Sequence, residues 1–155
     1  MRTLLGKLKP TAEDVFYDLG SGVGKFPIYV HLVCPDIKKV VGIEAAASRH
    51  HEAKQALARL IREGAIDTSR EVTFVHGDIV KEDISDATII FICATCFPEP
   101  LMQALADRFL TLKPGLRIVT LKALPERPRL KMTKKAPLPT SWSQEGSMMY
   151  FYELL

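Results

Sequence analysis

The chain has 155 residues, 47% of them hydrophobic and 25% charged, with a formal net charge of +3. Length and balance are those of one globular domain with a substantial core, which excludes a disordered or fibrous chain, and so mild a charge does not by itself indicate nucleic-acid binding. The longest apolar run, Ile89 to Ala94, is too short to cross a bilayer, and three cysteines without paired spacing fit a reducing compartment better than a disulfide framework.

Residues 1–14 form a polar lead-in long enough for a turn or one helix, and Met1 to Pro10 has only Leu4 and Leu5 as an apolar region, so it is no secretory signal. An intracellular protein is expected, nuclear or cytoplasmic, built as a single domain over residues 1–155.

The first strand starts at Val15 and runs straight into Gly20, Gly22 and Gly24 (VFYDLGSGVG). Three alternating glycines strip the Cβ atoms from a strand-to-helix turn, so the backbone can adopt φ > 0 and lie against a ligand, with the next helix offering its free N–H groups. A dinucleotide fingerprint needs its third glycine at position 25, where Lys25 stands. Asp18, just before the glycines, would repel a pyrophosphate but suits a cationic or zwitterionic ligand. S-adenosylmethionine, with an ammonium, a carboxylate and a sulfonium, is such a ligand. A purely structural turn is the competing reading, and the order of helix, second strand and acid beyond the glycines argues against it.

A short helix is expected over Lys25 to Val33, with Pro27 tolerated in its first turn and Tyr29 and His31 as packing residues. The second strand, Val40 to Ile43, closes on Glu44, 20 residues beyond Gly24, where an acid that accepts two ribose hydroxyls belongs. Ser48 to Glu63 is the clearest helix, with Ala53, Ala56, Leu57, Leu60 and Ile61 on one face and Gly64 as its stop. His50 and His51 in its first turn point about 100° apart and make a poor metal pair; no metal is expected. The third strand, Val72 to Val75, leads to Gly77 and Asp78, so that Asp18, Glu44 and Asp78 line one crevice at three strand ends.

Thr88 to Cys93 reads as a central parallel strand buried on both faces. Cys93 and Cys96 form a CxxC, but Phe97, Pro98 and Pro100 separate it from the next helix, which disfavours redox chemistry, and no second pair is present for zinc. A helix over Glu99 to Leu112 and a strand over Leu116 to Leu121 come next. Strands alternating with helices imply a Rossmann-like α/β fold, a parallel sheet with helices on both faces. Beyond it, Ala123 to Thr140 holds four prolines and five basic residues against one acid, Glu126. It is expected to give a loop and one strand around Arg129 to Lys134, then a turn over Ser143 to Gly146 and a last strand, Met148 to Leu154, closing an antiparallel hairpin. The basic residues between Arg127 and Lys135 read first as a solvated face and second as a contact for nucleic acid or an acidic protein surface.

DLGSGVG at 18–24, VGIE at 41–44, Gly77-Asp78, Ile90-Phe91 and the terminal hairpin together resemble a class I S-adenosylmethionine-dependent methyltransferase. The SGVG form of the loop, Arg108-Phe109 followed by Leu112-Lys113, Gly115 and Arg117 to Val119, and Ser141-Trp142 are similar, more narrowly, to the catalytic core of the Dot1 family of histone lysine methyltransferases. The resemblance implies protein-lysine N-methylation with S-adenosylmethionine as cofactor and a protein, histones included, as acceptor. It places Asp18, Gly20, Ser21, Gly22, Gly24 and Lys25 around the methionine end of the cofactor, Glu44 on the ribose, Asp78 and Ile79 at the adenine, and Phe97 at the pocket border. It also puts Tyr150 near the lysine channel, with Phe97 and Trp142 as further walls. The sequence departs from the family pattern at Ile79, where an aromatic stacks on the base, at Lys25, which replaces a glutamine, and at Cys93-Ala94, which replaces an Asn-Asn pair near the transferred methyl. Two rivals stay open: a module that binds the cofactor without turnover, and an NAD-dependent oxidoreductase.

Overall fold

A computed structural model describes residues 2–140 and 146–155. In chain order the elements are α1 (Arg2–Leu8), β1 (Val15–Leu19), α2 (Lys25–Val33), β2 (Lys39–Glu44), α3 (Ala47–Arg62) and β3 (Glu71–His76). They continue with β4 (Ile89–Ile92), a 3-10 turn (Ala94–Cys96), α4 (Glu99–Phe109), β5 (Arg117–Thr120), β6 (Leu130–Leu138) and β7 (Ser147–Leu154). The chain divides into two compact units, Pro10–Ala87 and Met1–Lys9 with Thr88–Leu155. None of the described helices is long and apolar enough to cross a membrane.

In the unit Pro10–Ala87 three parallel strands lie in the order β3-β2-β1, with Tyr17 beside Val41 and Val41 beside Thr73. Side chains alternate between the two faces of a strand. Phe74 and Val72 therefore share one face, where they pack with Ile28 of α2 and with Ala53, Ala56, Leu57 and Leu60 of α3. This is the apolar stripe expected of α3, except that Ile61, at its end, is 42% exposed. Tyr17, Val41, Ile43, Thr73 and Val75 take the other face and floor a shallow groove of about 200 Å³. No helix intervenes between β3 and β4 among the described residues; two turns make that connection.

The second unit pairs β4 with β5 in parallel, then β5 with β7 and β7 with β6 antiparallel. Met102, Leu105, Ala106 and Phe109 of α4 are fully buried, and α1 buries Leu4, Leu5 and Leu8. The basic, proline-rich segment departs from expectation here: β6 extends to Leu138, four residues beyond the strand predicted to end near Lys134. The ladder with β7 is irregular between Met132 and Lys134, and Pro137 stands opposite Met148. In this unit β6 has a strand on one side only, and an outermost strand accepts a residue without an N–H. Trp142 and most of the predicted Ser143–Gly146 turn lie outside the described residues; Gly146 itself has φ +99°.

Candidate functional site

The three glycines all take positive φ, 87° at Gly20, 55° at Gly22 and 78° at Gly24. The Gly20 and Ser21 N–H groups donate to the Ile43 carbonyl at 2.8 and 3.0 Å, which ties the bend to the end of β2. Gly24 caps α2 in the left-handed conformation. A Cβ at Gly24 would lie 2.5 Å from Phe74 Cζ and 2.9 Å from Ala53 Cβ, whereas one at Gly22 would meet nothing within 4 Å. The bend is thus packed at its helix end and open at its middle, which close approach of a ligand requires.

Two carboxylates are buried beside it, Asp18 at 3% and Glu44 at 4% exposure. Glu44 is well supplied with donors: Gly22 N–H to Oε2 at 2.9 Å, and Ala46 N–H, Arg49 Nε and Arg49 Nη2 to Oε1 at 2.8, 3.1 and 2.8 Å. Burial pushes its pKa up, but Arg49 and the two backbone donors outweigh burial and hold it below the usual carboxylate range. Asp18 has no such support. Complete burial, reinforced by the charge on Glu44, raises its carboxyl to about 8. Asp18 Oδ1 and Ser21 Oγ are buried without a hydrogen-bond partner in the described structure.

Unpaired buried acceptors of this kind are costly and call for an explanation. A ligand with a positive charge and N–H donors removes the cost, and both features belong to the methionine end of S-adenosylmethionine. The residues therefore fit the cofactor anticipated from the sequence.

Of the other predicted binding residues, Asp78 stands two residues past β3, where Gly77 N–H donates to the Glu44 carbonyl at 3.1 Å. Its Oδ1 accepts the Val80 N–H at 2.9 Å and its side chain pairs with Lys81. Ile79 is buried at 7% exposure, and Lys25 is exposed at the start of α2.

Cys93, Phe97 and Tyr150 fall in the second unit and gather at one end of its sheet. Cys93 follows β4 and opens the 3-10 turn, Lys122 Nζ donates to the Phe97 carbonyl at 3.0 Å, and Tyr150 of β7 lies opposite Thr120 at the end of β5. Cys93 and Cys96 are not joined in a disulfide. The neighbouring histidines diverge: His50 stacks on His76 with centroids 5.4 Å apart, while His51 bonds to Gln55.

Arg49 escaped the sequence reading. A signal was present, since it is the third residue of a helix whose first turn holds no acid. A cation there opposes the helix dipole unless a nearby carboxylate compensates, and Glu44 lies five residues upstream. Lys122, which also sits 3.6 Å from Glu99, left no comparable trace.

The fold is that of class I methyltransferases. It matches an RNA methyltransferase from Salinibacter ruber, solved with S-adenosyl-L-homocysteine, with a TM-score of 0.72 over 99% of this chain and 88% of that one, at 22% identity. A B. subtilis tRNA methyltransferase matches with a TM-score of 0.71 over 99% and 64% of the two chains, at 14% identity.

Residues 1–137 match the family described as Histone methylation protein DOT1, and the chain belongs to that family. A protein-lysine N-methyltransferase from Saccharolobus islandicus is 30% identical over 77% of this chain and 69% of its own length. A Drosophila melanogaster histone-lysine N-methyltransferase, H3 lysine-79 specific, is 28% identical over 79% of this chain, which spans 7% of that protein.

Proposed function

We propose that the chain is an S-adenosylmethionine-dependent methyltransferase that acts, in the nucleus or cytoplasm, on a lysine of a protein, with histones as one class of acceptor. The observation that carries this reading is the buried Asp18 carboxyl, whose Oδ1 has no hydrogen-bond partner in the described structure, beside an open glycine bend and a second acid, Glu44. Family membership and the S. islandicus relative support the lysine acceptor.

The cofactor, when bound, supplies an electrophilic methyl on a sulfonium, so the chain's own task is to bind, align and exclude water. Asp18 holds the cationic end, and burial strengthens that attraction by removing competing water. Glu44 takes the ribose. Asp78 and Ile79 border the adenine, Ile79 offering an aliphatic surface. A lysine attacks only as the neutral amine, which favours a wall of low polarity that disfavours the ammonium form. Cys93, Phe97 and Tyr150 provide such a wall. Cys93-Ala94 makes it less polar than the Asn-Asn pair of the family pattern.

The basic segment has a smaller role than its composition implies. Arg127 is held by Asp107 and Gln103, and Arg129 by the carbonyls of Leu155 and Leu110. Lys131, Lys134 and Lys135 remain as the exposed cations of β6 for contact with an acidic protein surface or nucleic acid.

A thermal-shift comparison tests the cofactor: S-adenosylhomocysteine should raise the melting temperature, and NAD should not. Labelled cofactor with histones and other lysine-bearing proteins then tests turnover, with Glu44→Ala as the inactive control. Stabilisation by NAD, or binding without methylated product from any acceptor, refutes the assignment.

A further inference from the structure

The ribose acid is crowded on one of its two oxygens. A carboxylate offers about four acceptor sites, two on each oxygen. Glu44 receives one hydrogen bond on Oε2, from Gly22, and three on Oε1, one from Ala46 and two from Arg49. A ribose diol that bonds both oxygens finds a site open on Oε2, but on Oε1 it must share two sites with the Ala46 N–H, so both Arg49 bonds must leave when a nucleoside docks.

The four donors are not equally free to go. Gly22 N–H belongs to a bend tied to β2 by two backbone bonds, and Ala46 N–H belongs to the cap residue of α3. Removing either would dismantle local backbone structure. Arg49 reaches Glu44 through a side chain that is 59% exposed, against 5% for the Glu44 side chain. A guanidinium so exposed regains hydration on release. Glu52, three residues further along α3 and exposed, offers it an alternative partner at i,i+3 spacing.

We propose that Arg49 is a displaceable latch on the ribose acid, an affinity-determining residue that holds Glu44 ionised and aimed while the pocket is without ligand and yields Oε1 to one of the two ribose hydroxyls, the other taking the open site on Oε2. The inference rests on Glu44 being the ribose acid of the cofactor site. Arg49 then competes with ligand, and the apparent affinity is reduced by the fraction of molecules in which the latch is closed. A merely structural Arg49 would behave otherwise: its loss would weaken the fold and the binding site together.

The test is calorimetric titration of the parent, Arg49→Ala and Arg49→Lys with S-adenosylhomocysteine and its 2′,3′-dideoxy analogue, alongside melting temperatures without ligand. Arg49→Ala should melt below the parent yet bind S-adenosylhomocysteine about fivefold more tightly, the scale of a part-exposed ion pair. Arg49→Lys, which loses the paired fork of donors, should fall between the two. The dideoxy analogue should gain nothing from either change. Weaker or unchanged S-adenosylhomocysteine binding by both variants overturns the latch, as does an equal gain for the dideoxy analogue. Should Arg49→Ala fail to fold, Arg49→Lys carries the same comparison. A parent that does not bind S-adenosylhomocysteine refutes the cofactor reading instead.

Discussion

Replacing Asp18 with asparagine should make the ligand-free protein more stable and deaf to its cofactor. Burial, with the Glu44 charge adding to it, lifts the Asp18 carboxyl from the usual 3.8 to about 8. Between those values the folded chain binds a proton that the unfolded chain has lost. Stability is therefore full below about pH 3.8, falls as pH rises and levels off above about pH 8. At pH 7 the window spans about three units, a ceiling of roughly 4 kcal/mol at 1.36 kcal/mol per unit. Allowing for relaxation around the carboxylate at half that ceiling leaves about 2 kcal/mol, or about 4–8 °C for a chain of this size. Asparagine has nearly the same shape and no charge, so it removes the penalty at every pH. Scanning fluorimetry from pH 4.5 to 9 should show Asp18→Asn melting progressively above the parent as pH rises, with the response to S-adenosylhomocysteine lost. A variant that melts below the parent at pH 8, or a difference that does not grow with pH, would refute the reasoning.

Two further expectations concern the same bend. Binding a cationic ligand should pull the Asp18 pKa down, so titration with S-adenosylmethionine at pH 7 in buffers of different ionisation enthalpy should reveal net proton release. No release would mean that the carboxylate and the ligand's charge do not meet. Gly24→Ala and Gly22→Ala should separate folding from binding. The first forces a methyl against Phe74 and Ala53 at a φ of 78°, costing about 2–3 kcal/mol of stability. The second, in open space, should cost about 1 kcal/mol for its positive φ while obstructing the ligand, so its affinity falls much more than its melting temperature. Denaturant melts and titrations of both variants decide this, and equal damage to stability would contradict the packing described at Gly24.

Much of this architecture was legible in the sequence because its signals are local. Three alternating glycines after a strand demand positive φ, and all three have it. The helix predicted from Ser48 to Glu63 lies within one residue of α3 at each end, since its apolar period and Gly64 fix both its face and its stop. Contributions from distant chain segments were harder to read. The predicted helix to Leu112 ends at Phe109, where turns take over before Gly115. The full length of β6 depends on pairing with β7, and Pro137 offered no local hint of it. Glu44 was recognisable by its distance from the glycines, but the filling of its Oε1 by Arg49 depends on how α3 leaves β2. The orphaned oxygen of Asp18 is a property of burial alone, which no spacing rule reports.

The ring of Phe74 occupies the space that Gly24 and Gly42 both leave empty: a Cβ at Gly42 would lie 2.8 Å from its Cδ1, as one at Gly24 would lie 2.5 Å from its Cζ. Positions 24, 42 and 74 are consequently linked in substitution: a methyl gained at either glycine demands a slimmer side chain at the third place, and room besides from Ala53 Cβ, 2.9 Å from a Cβ at Gly24, or from Ser21 Oγ, 2.7 Å from one at Gly42. Any attempt to reshape this pocket by design has to begin on β3, behind the bend, rather than at the residues facing the ligand.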